Sequence, residues 1–145
     1  MPKWMASFMT NDIFIDTSGF YAFLIKGDST HEEAESILFG AKKQKRRFVT
    51  TDYILDETAT LLKARGFGHL LPNFLTTLEQ SQACRIEWTD SDRFFSTQAF
   101  FLKHADQDWS FSDCLSFQVM KQLKISDALT KDAHFKSAGF RPMLK

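Results

Sequence analysis

Cysteine is scarce in this chain, and long apolar runs are missing. Among its 145 residues there are two cysteines, Cys84 and Cys114, which show none of the Cys/His spacing of a zinc site. Isolated cysteines build no disulfide framework, so we expect both to be buried, reduced thiols. No run approaches the roughly 18 apolar residues of a membrane span, and residues 1–11 lack the apolar core of a signal peptide. We therefore expect a cytoplasmic protein without a membrane segment.

A net charge is also lacking. The 18 basic and 18 acidic residues cancel, which argues against a protein that holds nucleic acid by a globally positive field. The densest basic stretch is KKQKRR, residues 42–47. It is either a solvated helix end, with cations near the C-terminal dipole, or a surface that steers an RNA backbone.

Proline is rare too, and no repeat or low-complexity linker divides the chain. The three prolines are Pro2, Pro72 and Pro142. We predict a single domain over residues 12–145, preceded by an N-terminal extension of residues 1–11 whose role the sequence leaves open.

What the chain does contain is an alternation of strand-like and helix-like segments. Strands are predicted at residues 12–16, 47–51, 84–89 and 125–130, with helical spacing between them. This order indicates an α/β fold, in which a parallel sheet is covered by helices on both faces. In such sheets the functional site lies at the carboxyl ends of the strands.

Two aspartates are predicted at that edge. Asp16 ends the first strand and Asp132 follows the last. Each also has an ordinary explanation, because aspartate is common in strand-to-helix turns and helix caps. Thr17 or Ser18 is the predicted cap of the helix after the first strand.

The adjacent acids Asp56 and Glu57 are predicted to differ. On a helical wheel Glu57 shares a face with Ile54 and Leu61, whereas Asp56 lies on the polar side. We expect Glu57 to point inward, where a carboxylate costs several kcal/mol unless it is paired, protonated or bound to a cation. The alternative is a helix-end acid that reaches water.

Asp113 begins a helix and shares its apolar stripe with Phe117 and Met120. Ser110 and Asp113 also have the S-x-x-[DE] spacing of a capping box. Sequence position alone does not separate a cap from a catalytic acid.

Four carboxylates that share a pocket need a counter-charge, and the sequence offers no buried basic residue at matching positions. Oxygen ligands select hard divalent ions such as Mg²⁺ or Mn²⁺, which keep waters and leave room for a phosphate. This chemistry suits phosphodiester hydrolysis.

At these positions the sequence resembles the PIN-domain ribonucleases, and among them the VapC-type toxins of toxin–antitoxin pairs. The similar segments are FIDTSGFYAFL, VTTDYILDETATLL, SFSDCLSFQVMKQL and DALTKDAHFKSAGF, which hold Asp16, Glu57, Asp113 and Asp132 in the family's order. The resemblance implies a three-layer α/β/α sandwich with a mainly parallel central sheet. It also implies an endoribonuclease that uses Mg²⁺ (or Mn²⁺), with Asp16 and Asp113 as direct ligands. Glu57 and Asp132 would complete the charge directly or through water. An RNA substrate, a homodimer and a cognate antitoxin are the implied partners.

Ser112 and Thr130 are candidate hydrogen-bond donors to these acids. The four histidines (His31, His69, His104 and His134) have no mutual spacing and are expected to be surface or partly buried side chains. Two rival functions remain. One is another Mg-dependent phosphoryl hydrolase, such as a haloacid-dehalogenase-like phosphatase, but "TSG" follows Asp16 where that mechanism needs a second acid. The other is a catalytically silent PIN-fold module that binds RNA or protein.

Overall fold

A computed structural model describes residues 11–145 and contains a five-stranded sheet with strand order β3-β2-β1-β4-β5. The strands are β1 (Ile13–Ile15), β2 (Phe48–Thr51), β3 (Cys84–Glu87), β4 (Asp127–Leu129) and β5 (Arg141–Pro142). Every strand pair is parallel, and Ile13 of β1 lies in register with Phe48 and with Asp127. The predicted N-terminal extension lies outside the described residues, apart from Asn11.

Helices connect the strands within this part of the chain. They are α1 (Thr17–Leu24), α2 (His31–Lys43), α3 (Asp52–Ala64), α4 (Leu71–Gln80), α5 (Ser91–Lys103), α6 (Phe111–Gln122) and α7 (Ala133–Ser137), with a 3₁₀ turn at Gly68–Leu70 before α4. None of these helices is long and apolar enough to cross a membrane.

The central strand β1 separates two helical layers. Successive strand residues face opposite sides of a sheet, and the side chains of β1 are buried on both. Phe14 packs against Phe135 of α7 at 6.1 Å between ring centroids, and Phe135 packs against Phe117 of α6 at 5.1 Å. Ile15 lies on the other face, beside Gly19 of α1. The predicted three-layer α/β/α arrangement is confirmed.

Gly19 allows α1 to approach the end of β4 closely. A Cβ atom at this position would overlap the backbone oxygen of Leu129 and lie 2.9 Å from its carbonyl carbon. Backbone cannot move aside as a flexible side chain can. The absence of a side chain therefore brings the start of α1, with Asp16, against the residues that follow β4.

Candidate active site

The carboxyl edge of the sheet carries a cavity of about 330 Å³. Asp16 reaches it from the end of β1 and Asp132 from the loop after β4, while Glu57 projects from α3 and Asp113 from the first turn of α6. All four acids singled out in the sequence thus line one cavity. The other lining residues are Thr17, Ser18, Tyr21, Asp28, Ile54, Leu61, Arg65 and Lys131.

Asp16 forms the buried floor of this cavity and is 6% exposed. Its Oδ1 accepts hydrogen bonds from the Ser18 hydroxyl at 2.8 Å and the Gly19 amide at 2.9 Å. Its Oδ2 accepts one from the Thr130 hydroxyl at 2.7 Å. Burial raises the pKa of Asp16 to about 6, the donated hydrogen bonds oppose this rise, and the charge of Asp132 adds to it. The predicted role of Thr130 as a donor is confirmed.

The cap of α1 was predicted wrongly. Asp16 itself is the N-cap residue, through its bond from the Gly19 amide, whereas Thr17 and Ser18 already belong to the helix. Aspartate caps at least as well as serine or threonine, and here the capping residue is also the site acid. The predicted donor Ser112 is buried, but its hydroxyl has no hydrogen-bond partner among the described residues.

Asp113 forms the predicted capping box with Ser110. The Ser110 hydroxyl accepts from the Asp113 amide at 2.9 Å, and Asp113 Oδ2 accepts from the Ser110 amide at 3.2 Å. The same Oδ2 lies 3.0 Å from His134 Nδ1. The side chain of Asp113 remains 18% exposed and lines the cavity. The acid is therefore a helix cap and a cavity residue at once.

His134 belongs to this cluster, although the sequence indicated no role for any histidine. It follows Asp132, the N-cap of α7, whose Oδ1 accepts from the His134 amide at 2.9 Å and lies 3.4 Å from Nδ1. The pKa of His134 is raised, first because Asp113 accepts a hydrogen bond from its ring and also because nearby carboxylates favour its charged form. A signal was present in the spacing D-x-H, which places the histidine beside a capping acid.

The prediction that Glu57 points inward was wrong. Its side chain is exposed, and so is the side chain of Asp56. The two acids still differ, because Glu57 lines the cavity together with Ile54 and Leu61 whereas Asp56 does not. The helical wheel grouped these residues correctly, but their face borders an open cavity. The buried position of this turn is Thr58.

The donor atoms of this site fit a divalent cation. One ligand atom each from Asp113, Asp132 and His134 lie within 4.8 Å of one another. Carboxylate oxygens and an imidazole nitrogen are ligands that Mn²⁺ accepts, and the carboxylates alone suit Mg²⁺. The nearby cation Lys131 is paired with Asp28 at 2.9 Å and not with these acids. Direct ligation by Asp16 and Asp113 stays a prediction.

Sequence comparison identifies the family. A model described as PIN domain matches residues 13–141. The chain belongs to the PIN domain family. This PIN-domain chain is 32% identical over 128 residues, 88% of its length and 95% of the relative's, to "23S rRNA-specific endonuclease VapC20" of Mycobacterium tuberculosis. It is 30% identical over 123 residues to "VapC ribonuclease" of Archaeoglobus fulgidus, covering 83% of this chain and 77% of that protein.

A solved structure of one of these relatives has the same fold. The crystal structure of Mycobacterium tuberculosis VapC20, titled a Sarcin-Ricin loop cleaving toxin, matches this fold with a TM-score of 0.81 and 27% sequence identity. The match covers 92% of this chain and 100% of that one.

Residues 42–47 lie away from the acids. Arg47 precedes β2, and its carbonyl accepts from the amide of Ile13 at the start of β1, so this stretch is at the amino edge of the sheet. Arg46 is bound at 2.7 Å to Asp127. The helix-end interpretation is thus favoured for Lys42 and Lys43, which lie in the last turn of α2.

A larger cavity of about 690 Å³ lies beside α1, α2 and α4 and is lined mainly by apolar side chains. No acid is among its described lining residues, so it lacks the chemistry of the smaller cavity. It includes Cys84, which is half-buried, whereas Cys114 is buried as predicted. Both are free thiols, and burial raises the pKa of each to about 11, which leaves them protonated and unreactive at neutral pH.

Proposed function

We propose that this protein is a metal-dependent endoribonuclease that hydrolyses RNA phosphodiester bonds, and that it is the toxin of a type II toxin–antitoxin pair. The observation that carries the proposal is the convergence of Asp16, Glu57, Asp113 and Asp132 on one cavity. Relatives named as an endonuclease, a ribonuclease and a toxin support it. The names of the VapC20 relatives make ribosomal RNA the first substrate to test.

The proposed cofactor is Mg²⁺ (or Mn²⁺), held by Asp16 and Asp113 and completed by Asp132 and Glu57. When bound, such an ion polarises the phosphate, lowers the pKa of water and offsets developing negative charge. Asp16 is held on both oxygens by Ser18, Gly19 and Thr130, so its position is fixed before substrate arrives.

The exposed acid Glu57 has a different role from that of the buried Asp16. Its carboxylate reaches the cavity from α3 and remains in contact with solvent, so it is suited to orient the attacking water and accept its proton. His134 and the Ser110 amide both contact Oδ2 of Asp113. The second oxygen, Oδ1, would then be the one that holds the cation.

We further propose a cytoplasmic protein that forms a homodimer and is neutralised by a cognate antitoxin. Its membership of the PIN family and its similarity to VapC-type proteins support these associations. Light scattering of the purified protein and co-expression with the product of a neighbouring reading frame test the two associations separately.

Cleavage of total RNA, with the ends of the fragments mapped, tests the activity. Chelation by EDTA should abolish cleavage and added Mg²⁺ or Mn²⁺ should restore it, while Asp16→Asn should be inactive under all conditions. Full cleavage in EDTA would refute the metal-dependent mechanism. Folded protein that cuts no RNA with either ion would favour the silent binding module.

A further inference from the structure

The acidic cavity extends along α3 to a basic side chain at the far end of that helix. Ile54, Glu57, Leu61 and Arg65 all line it, and their spacing places them on one face of the helix. Glu57 and Arg65 are eight positions apart in the sequence, a rise of roughly 12 Å along the helix axis. We call this extension the α1–α3 trench, because Thr17 and Tyr21 of α1 form its other wall.

Arg65 is held at the end of the trench by an aromatic ring. Its Cζ lies 4.9 Å from the centroid of the Tyr21 ring, within the range of a cation–π contact. Tyr21 in turn packs edge-on against Phe67, at 6.3 Å between centroids and an interplanar angle of 78°. The guanidinium therefore has a fixed support, even though the residue is exposed.

The charge of Arg65 is available to a ligand. Among residues 11–145, no carboxylate forms an ion pair with it. Lys131, the other cation at the cavity, is bound by both oxygens of Asp28 at 3.0 and 2.9 Å. Arg65 also follows the last turn of α3, where any cation interacts with the helix dipole. That role does not require a ring beneath the guanidinium or a position at the mouth of a cavity.

A polyanion that enters an acidic cavity needs such a cation. Four carboxylates repel RNA phosphates, and a bound ion offsets this repulsion most strongly at its own phosphate. A neighbouring phosphate of the same strand must also be bound near the acids. Arginine suits this task because its planar fork donates two parallel hydrogen bonds to phosphate oxygens.

We propose that Arg65 binds a phosphate of the RNA strand adjacent to the one cleaved, that Tyr21 positions its guanidinium, and that the α1–α3 trench is the path of the RNA backbone. This inference rests on the proposed function and names the part of the chain that holds its substrate outside the acidic cluster.

The test measures binding and cleavage of a short labelled single-stranded RNA over a range of salt concentrations. Arg65→Gln should raise Kd about tenfold at low salt, the typical loss for one charged hydrogen bond. It should also reduce the slope of log K against log salt by about 0.7, the contribution of one phosphate contact on a single strand. Arg47→Gln is the matched control, since it removes an exposed arginine at the opposite edge of the sheet. It should change neither quantity.

Tyr21 is tested as a positioning residue. Tyr21→Leu should weaken binding about two- to fivefold, the typical value of an exposed cation–π contact, while the salt slope stays unchanged. Tyr21→Phe should restore wild-type binding because it keeps the ring. In the Arg65→Gln background Tyr21→Leu should have no further effect, since the two residues act as one unit.

Equal losses for Arg65→Gln and Arg47→Gln would overturn the inference, because charge alone would then explain binding. Suppose that the wild type cleaves RNA with Mg²⁺ but that Arg65→Gln leaves both Kd and the salt slope unchanged. This result would overturn the inference and leave the proposed function standing. A wild-type protein that neither binds nor cleaves RNA would overturn both.

Discussion

Asp113 is both a helix cap and a proposed ligand, and two substitutions separate these roles. Ser110→Ala removes the hydroxyl that accepts from the Asp113 amide at 2.9 Å but keeps the carboxylate. It should cost about 1 kcal/mol, the typical value of an N-cap side chain. For a chain of this size that lowers Tm by about 3 °C. Metal binding and cleavage should remain, because the carboxylate is still in place.

Asp113→Asn should give the opposite result. The amide oxygen of asparagine still accepts from the Ser110 amide, and the backbone amide of residue 113 still donates to the Ser110 hydroxyl, so both bonds of the capping box survive. Loss of the charge forfeits about 0.3–1 kcal/mol at the helix N-terminus. It forfeits up to about 1 kcal/mol at the partly exposed contact with His134. Reduced repulsion from Asp16 and Asp132 opposes both losses. The metal-free protein should therefore lie within about 1 kcal/mol of wild type.

Thermal unfolding with increasing Mg²⁺ or Mn²⁺ distinguishes the two variants. A ligand at one hundred times its Kd stabilises a protein by about 2.7 kcal/mol, and each tenfold loss of affinity removes about 1.4 kcal/mol of this. Ser110→Ala should keep the full metal-induced shift in Tm, and Asp113→Asn should lose most of it together with cleavage. A folded Asp113→Asn protein with the wild-type shift and wild-type cleavage would show that the acid is only a cap.

Three further predictions follow from the same geometry. Glu57→Gln should remove most of the cleavage activity, whereas Asp56→Asn should remove little of it. Each substitution should change the free energy of unfolding by less than about 0.5 kcal/mol because both side chains are exposed. Equal losses of activity would refute the different assignment of the two acids. His134→Ala should weaken Mn²⁺ binding, measured by calorimetry. His134→Asn keeps a hydrogen-bond donor near the Nδ1 position and should largely restore the affinity. The same Mn²⁺ affinity in both variants would exclude a positioning role for His134. Gly19→Ala should destabilise the fold by about 1–3 kcal/mol in denaturant unfolding because the added Cβ meets backbone atoms. Gly40→Ala is the control, because a Cβ at this position meets open space. It should be neutral or stabilising in the same assay.

The alternation of strands and helices was predictable because each long segment carries its own period. The strand at residues 125–130 was predicted and appears as β4 (Asp127–Leu129). The short elements were not predicted. β5 has two residues and α7 five, too few to show a period of 2 or 3.6. Their positions depend on tertiary contacts, such as the pairing of β5 with β4.

The sequence predicted that the four acids share one cavity, but it did not predict their environment. A helical wheel identifies which residues share a face, but not whether that face meets the core or an open cavity, which explains the error at Glu57. His134 was missed for a related reason. Its contact with Asp113 joins residues 21 positions apart, and only the packing of α7 beside α6 brings them together. The sequence offered no buried basic residue for these acids, and the two cations that line the cavity are Lys131, which is paired with Asp28, and the exposed Arg65.

The geometry of the helix ends shows that three of the four acids have capping roles, and their catalytic roles stay predictions. Asp16 and Asp132 are N-cap residues, and Asp113 is the acid of a capping box. Three helices therefore direct their N-termini, each with a partial positive charge, toward one cavity. These positive helix ends reduce the repulsion among the acids of the metal-free protein. At Asp113 the capping contact leaves one oxygen for a ligand. The Ser110 amide and His134 both contact Oδ2 of Asp113, so Oδ1 can face the cavity while the helix stays capped. Because Asp113 caps its helix through Oδ2, it should be held in place without a cation. Its replacement should therefore lower the free energy of metal binding more than the free energy of unfolding.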